Sequence, residues 1–231
     1  MLRKALCCVA ILTISGVVAV GMGGLLVSLV DFINKWPNDD TVRWTMDDLP
    51  ELLPGDIVIE RHSMISSRLL QLGLHSYWNH ITVIVNSDYY IVENTGNGVV
   101  LENLENDTNL AIAVYRYPDL SEEERDRIAW EAMTLVGKEN DWQIVLRSVR
   151  EAGWQTPIIL TKALWALWTD DGDVPLPHIV DDYLVCSEVV QEAYSQAGFP
   201  LVADEYLLLP KNVAIMGRDG ELERLFGPDK I

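Results

Sequence analysis

Cys186 is the residue whose type and position are best suited to covalent chemistry. Apolar residues recur at helical spacing across 189–197, and Gly198 then stands where a left-handed C-cap residue belongs. Cys186 therefore lies at the start of an amphipathic helix, where unpaired backbone amides favour a thiolate. The other two cysteines, Cys7 and Cys8, belong to an N-terminal apolar segment, so Cys186 has no disulfide partner within the folded domain. A nucleophile and a small core residue both fit this position.

A histidine and a glutamate on a predicted hairpin could serve that thiol. The β-branched and apolar stretch that begins at His80 predicts a strand, and residues 89–93 return after a turn at 86–88. Pairing about that turn brings Glu93 close to the strand start that carries His80. Cys186 would then attack an acyl carbonyl, with its own N–H directed at the oxyanion. His80 would be the general base and Glu93 would orient the imidazole.

Each of these residues also has a structural explanation when it is taken singly. A histidine at a strand edge is more often structural than catalytic, and a glutamate before a turn is usually solvated. A metal site is the other alternative, but the spacing of the histidines fits no common zinc pattern. We therefore expect no metal and no cofactor. The four histidines of the chain are His62, His75, His80 and His178.

The composition predicts a folded, acidic domain. Apolar residues make up 49% of the chain, which is enough for a core, and the formal net charge is -18. Such a surface repels nucleic-acid phosphates, and no basic stripe offsets it. We therefore expect no nucleic-acid partner.

The N-terminus predicts a membrane anchor. Arg3 and Lys4 precede an uncharged run from Ala5 to Val30, and about 20 apolar residues suffice to span a bilayer. The basic flank places the N-terminus in the cytoplasm and the domain outside. Cleavage after a signal-like Ala19-Val20-Gly21 is the alternative, but the length of the run favours an uncleaved signal anchor. The predicted organisation is a transmembrane anchor at 1–31, a tether at 32–52 and a folded domain at 53–231.

The remaining patterns predict a mixed architecture. Short apolar runs predict an antiparallel meander, and Ser121 with Glu124 forms the capping box of a helix. A Trp-rich helical insert at 142–168, broken by Pro157, is either a lid, a membrane-facing surface or a packed insert. The predicted strands are 57–59, 78–85, 89–93, 99–101 and 111–116, and a further short helix is predicted at 63–72.

Five short motifs occur in a fixed order along residues 50–216. They are Leu53-Pro54-Gly55-Asp56-Ile57-Val58, Asn79-His80-Ile81-Thr82-Val83-Ile84, Ile91-Val92-Glu93-Asn94, Gly137-Lys138 with Asp141-Trp142, and Cys186-Ser187-Glu188-Val189-Val190. In this order the chain resembles the circularly permuted branch of the NlpC/p60 papain-like hydrolases, the YiiX/YaeF-like group, in which the histidine strand precedes the cysteine helix. The resemblance maps the nucleophile to Cys186, the base to His80 and the third polar residue to Glu93.

The resemblance implies a fold and a function. The expected fold is α+β and permuted papain-like, an antiparallel sheet packed against the cysteine helix, with an N-terminal transmembrane helix. The expected function is a membrane-anchored cysteine hydrolase that cleaves an amide bond, in a cell-wall peptide, through an acyl-enzyme. The alternatives are a lipid acyltransferase or thioesterase, since the branch resembles lecithin:retinol acyltransferase-like proteins, and an inactive membrane-tethered binding module. The expected partners are a peptide or acyl substrate and the membrane, with the hydrolase domain extracytoplasmic on a single-pass anchor.

Overall fold

One antiparallel sheet with helices packed against it forms the framework of the protein. The structure is a computed structural model that describes residues 44–62, 76–95, 97–107, 111–139, 185–204 and 206–231. These residues contain a six-stranded sheet and three α-helices, which confirms the α+β class. The strands are β1 (Ile57–Arg61), β2 (His80–Ile84), β3 (Tyr90–Thr95), β4 (Gly98–Asn103), β5 (Ala111–Arg116) and β6 (Glu223–Phe226).

The strand order differs from the predicted meander at one point. The order is β4-β3-β2-β1-β5-β6, and every neighbouring pair is antiparallel. Strands β1 to β4 form the expected meander, but β5 pairs with β1 and not with β4. This order places two almost fully buried strands, β1 and β5, side by side in the sheet interior. It leaves β4, whose Leu101 is exposed, at the edge. Strand β6, which the sequence did not predict, extends the sheet beyond β5.

Both faces of the sheet carry buried side chains. Since side chains alternate across each strand, a single strand contributes residues to both faces. One face packs against the cysteine helix and its neighbours, and the other forms a second apolar cluster with residues that precede β1. The first face includes Ile57, Ile59, Ile81, Val83 and Val92. The second includes Val58, Ile84, Ile91, Ile112 and Val114.

The packed part of the chain begins before Leu53, the residue at which the sequence suggested that the domain starts. Trp44 and Leu52 are 2% and 1% exposed and belong to the second cluster. Both fall within the compact unit that spans Thr41–Ile231. The end of the predicted tether is therefore held to the sheet by apolar burial.

Two of the three α-helices among the described residues follow signals that the sequence predicted. Helix α1 (Glu122–Thr134) begins at the predicted capping box, in which Ser121 and Glu124 exchange hydrogen bonds of 3.3 and 2.7 Å. Helix α2 (Cys186–Ala197) ends at Gly198, whose φ of 94° is left-handed as predicted. Helix α3 (Pro210–Asp219) was not predicted. Helix α2 packs on α1, β2 and β3.

The turn before β1 is fixed by a buried carboxylate. Asp56 is fully buried and receives hydrogen bonds of 2.8 and 2.6 Å from Arg116 on β5. It also accepts a 2.8 Å bond from the N–H of Leu53, and Arg125 of α1 lies 3.7 Å away. One carboxylate therefore holds the turn to β5 and to α1.

The same turn also contacts β2 and α2 through its backbone. Gly55 has a left-handed φ of 84°, which glycine adopts without strain. Its N–H donates to the carbonyl of Ile84, 2.8 Å away, and its carbonyl accepts from the Tyr194 hydroxyl. The start of β1 is thus the point at which the sheet, α1 and α2 meet.

Several sequence-based predictions lie outside the described residues. Among the described residues no helix is both long enough and apolar enough to cross a membrane, and the predicted anchor is not among them. The predictions that lie outside are the anchor at 1–31, the first part of the tether, the helix at 63–72 and the Trp-rich insert at 142–168.

Candidate active site

Cys186 is the first residue of α2, and the residue before it cannot cap the helix. The N-cap is Val185, with extended backbone angles, and valine carries no side-chain acceptor for the first amides. The carboxylate of Glu188 instead accepts a 2.7 Å bond from the N–H of Val185. By contrast, Ser121 caps α1 through its hydroxyl. The amides at the start of α2 are therefore suited to an anionic ligand at Cys186.

Helix α2 is held in place by three side-chain hydrogen bonds beyond its apolar face. Tyr194 donates to Gly55, as described above. Gln191 donates to the carbonyl of Tyr206 at 2.9 Å and accepts from the N–H of Leu208 at 2.8 Å. Both Gln191 and Tyr194 are buried, so these bonds are shielded from water. The position of Cys186 relative to the sheet is therefore well determined.

The imidazole of His80 is hydrogen-bonded to Glu93. His80 is the first residue of β2, and its Nε2 lies 2.7 Å from Oε2 of Glu93. The two side chains are 12% and 7% exposed. Because Val83 pairs with Val92 and Ile84 with Ile91, continuing the register places Glu93 opposite the second residue after His80. The hairpin thus brings the two residues together as the sequence predicted.

Cys186 is the second side chain that acts on the His80 imidazole. Since Glu93 engages Nε2, the ring nitrogen that remains for the thiol is Nδ1. The pKa of His80 is raised well above its usual value near 6.5. Burial lowers this pKa, but the hydrogen bonds to Cys186 and Glu93, together with the electrostatic influence of Cys186 and Glu60, outweigh the burial. The site therefore favours an imidazolium placed between a sulfur and a carboxylate.

The structure thus brings together the three residues that the sequence selected, Cys186, His80 and Glu93. Among the other histidines, His75 and His178 lie outside the described residues. The catalytic roles of the three residues stay predictions, because their proximity is a geometric finding and not a measurement of turnover.

Two neighbours of His80 were not predicted to lie beside it: Glu60 was missed, and His62 was named only as a potential metal ligand. Glu60 is fully buried at the end of β1, and its Oε2 lies 3.0 Å from Nε2 of His62. The ring of His62 lies edge-on to that of His80, with centroids 4.8 Å apart. Asn79 holds the backbone of His62 from both sides, at 2.8 and 3.0 Å. The sequence did contain a signal for Glu60, because it is a charged residue that directly continues the apolar strand Ile57–Ile59.

Comparison with known proteins finds a similarity among solved structures. No family model matches the chain, and no curated protein matches it. Among solved structures, the chain is similar to the metalloprotein YiiX from Escherichia coli O157:H7. The two share 21% sequence identity over 64% of this chain and 67% of that chain, with a TM-score of 0.45.

Replacing Glu93 by glutamine should lower the pKa of His80. The substitution keeps the shape of the side chain but removes the carboxylate that helps to stabilise the imidazolium, so the neutral ring becomes relatively more favourable. The measurement is an NMR titration of the His80 ring signals in buffer that contains a chelator. Glu105→Gln, which removes an exposed carboxylate, is the matched control and should leave the titration unchanged. An unaltered His80 pKa in a folded Glu93→Gln protein would contradict the assigned pairing.

Proposed function

We propose that this protein is a cysteine hydrolase in which Cys186 is the nucleophile, His80 the general base and Glu93 the residue that orients His80. The observation that carries the proposal is the placement of one imidazole between Glu93, at 2.7 Å, and Cys186. A thiol, an imidazole and a carboxylate in this sequence of contacts form the arrangement that activates cysteine nucleophiles. The order of the residues along the chain, His80 and Glu93 before Cys186, supports a permuted papain-like relationship.

The first half of the reaction forms an acyl-enzyme. His80 accepts the thiol proton, and the sulfur of Cys186 attacks the carbonyl carbon of the substrate, so that an S–C bond forms. Charge develops on the carbonyl oxygen, where the uncapped amides at the start of α2 can stabilise it. His80 then donates its proton to the leaving nitrogen as the C–N bond breaks.

The second half of the reaction returns the enzyme to its starting state. His80, now neutral, removes a proton from a water molecule that attacks the thioester carbonyl. The C–S bond breaks, the carboxylic acid product leaves, and the sulfur of Cys186 regains its proton from the imidazolium. Glu93 keeps Nε2 engaged throughout, so that Nδ1 stays directed at the sulfur.

The proposed substrate is an amide bond in a cell-wall peptide. What supports this substrate is the resemblance of the five motifs to the YiiX/YaeF-like branch of the NlpC/p60 hydrolases. The proposed location is the outer side of a membrane, on a single-pass anchor at residues 1–31. What supports this location is the uncharged run from Ala5 to Val30 behind Arg3 and Lys4.

The reactivity of Cys186 towards iodoacetamide should depend on His80. A free thiol has a pKa of about 8.5 and is less than about 1% ionised at pH 6, so the paired thiol should react there about 100-fold faster. His80→Ala should remove this advantage and move the reactivity towards alkaline pH. Peptide mass spectrometry separates Cys186 from Cys7 and Cys8, and a chelator is present throughout. A folded His80→Ala protein whose Cys186 keeps the wild-type pH profile would require the assignment to be withdrawn.

Turnover should rank the variants by role and identify the substrate. Cys186→Ala should abolish hydrolysis of muropeptides, His80→Ala should be nearly as damaging, and Glu93→Gln should cost less because it keeps its shape. Glu105→Gln is again the matched control. The assay is release of new amine from muropeptides, run beside acyl-lipid vesicles. Acyl transfer from lipid alone would favour the acyltransferase alternative, and the absence of both activities with an unreactive Cys186 would favour a binding module.

The orientation can be tested with protease added outside intact spheroplasts. The charges that flank the uncharged run predict that residues 31–231 are accessible and are degraded. A cytoplasmic marker protein, which should survive until the spheroplasts are lysed, controls for membrane integrity. Full protection of the domain in intact spheroplasts would reverse the proposed orientation.

A further inference from the structure

Three potential metal ligands meet beside the proposed catalytic pair. They are the carboxylate of Glu60 and the imidazoles of His62 and His80, and their ligand atoms all lie within 4.8 Å of one another. Glu60 faces His80 in the pairing of β1 with β2, and His62 follows Glu60 by two residues. Two adjacent strands therefore bring nitrogen and oxygen donors to one place, which the spacing of the histidines along the sequence did not indicate.

The separations approach those that a tetrahedral ion requires. Zinc binds nitrogen and oxygen at about 2.0–2.2 Å, so two ligand atoms on one zinc ion are about 3.3–3.6 Å apart. Glu60 and His62 are already 3.0 Å apart. His80 lies within 4.8 Å of both other ligand atoms, so a side-chain movement of at most about 1.5 Å would bring it to the separation of about 3.3 Å. Two histidines with one glutamate form a known zinc ligand set, whereas Mg²⁺ and Ca²⁺ prefer oxygen donors alone.

The surroundings of Glu60 favour a cation. Its side chain is fully buried, and within the described residues its ion-pair partner is His62, with the Thr82 hydroxyl 3.4 Å away. Neither partner carries a permanent positive charge, and buried carboxylates are normally paired or coordinated to a metal. His62 is 23% exposed and gives solvent access to the cluster. Asn79 fixes the backbone of His62, which limits the reorganisation that binding would require.

We propose that Glu60, His62 and His80 bind a transition-metal dication of the Zn²⁺ class, and that the bound ion inhibits the hydrolase. The inhibition, though not the binding, rests on the proposed function. His80 has two ring nitrogens: Nε2 is hydrogen-bonded to Glu93, and Nδ1 is the nitrogen that remains for Cys186. An ion at either nitrogen replaces one of these contacts, so His80 cannot serve the metal and the thiol together. Metal binding and catalysis therefore exclude each other.

Binding is tested on the full chain without reference to activity. Zn²⁺ is titrated by calorimetry, and Co²⁺ is used as a visible-absorption probe of a tetrahedral site. Loss of even an outer partner of a metal ligand weakens binding about 10–100-fold, so His62→Ala and Glu60→Gln should weaken it about 100-fold or more. Glu123→Gln, an equal charge change at an exposed position, is the control. Cys186→Ala should still bind, since the sulfur is not a ligand.

The effect on Cys186 is measured as its alkylation rate with and without Zn²⁺. Saturating Zn²⁺ should slow alkylation at least about 10-fold in the wild type, and excess chelator should restore the rate. The metal-dependent ratio should fall towards one in His62→Ala and in Glu60→Gln. Near-ultraviolet circular dichroism checks that each variant is folded, and the isosteric Glu60→Gln protects the test if His62→Ala does not fold.

The outcomes separate this proposal from the proposed function. Unchanged Zn²⁺ affinity in folded Glu60→Gln and His62→Ala, or absence of Zn²⁺ binding by the wild type, would overturn the metal site. Equal protection of Cys186 by Zn²⁺ in wild type and in His62→Ala would overturn the inhibition, because it would show direct binding to sulfur. If the variants lose Zn²⁺ while metal-free Cys186 reacts like a free thiol, the metal site stands and the hydrolase assignment fails.

Discussion

The ion pairing of the buried Asp56 carboxylate is the interaction on which the rest of the fold depends. A charge without solvent must be paired, and removal of one partner from such a pair costs about 3–5 kcal/mol. Asp56 meets this requirement with Arg116 from β5, with Arg125 from α1 nearby, and with the N–H of Leu53. The turn that results presents Gly55 to both β2 and Tyr194 of α2. The relative position of the His80 strand and the Cys186 helix is thus set by ion pairing at the far end of those elements.

The electrostatics of the site follow from the same sheet. Glu60 and Glu93 flank His80 from the two neighbouring strands, and both carboxylates are buried. Burial lowers the pKa of His80, but the interactions with Cys186, with Glu93 and, to a smaller extent, with Glu60 outweigh the burial, so that the pKa is raised. The buried carboxylates beside the imidazole therefore favour its protonated form, and the same negative charge would favour a dication at the proposed metal site.

Local patterns predicted local structure well and long-range pairing poorly. Alternation and turn residues located the hairpin that joins His80 to Glu93, and the capping box located α1. Alternation states which face a side chain occupies but not which strand lies beside it, so β5 was assigned to the wrong neighbour. The contact between Glu60, His62 and His80 depends on the register of β1 against β2. No spacing along the chain contains that register.

Because Val185 is the N-cap of α2, no N-cap side chain accepts a hydrogen bond from the first amides of the helix. A ligand that accepts these hydrogen bonds would order the first turn. A polar N-cap contributes about 1 kcal/mol to a helix, and α2 lacks that contribution from Val185 while α1 receives it from Ser121. In the proposed reaction, an oxyanion held by the same amides would supply the missing acceptor. In that reaction, occupation of the site and local folding of the helix would be thermodynamically linked, so that the first turn of α2 would be most ordered when it holds the reacting group.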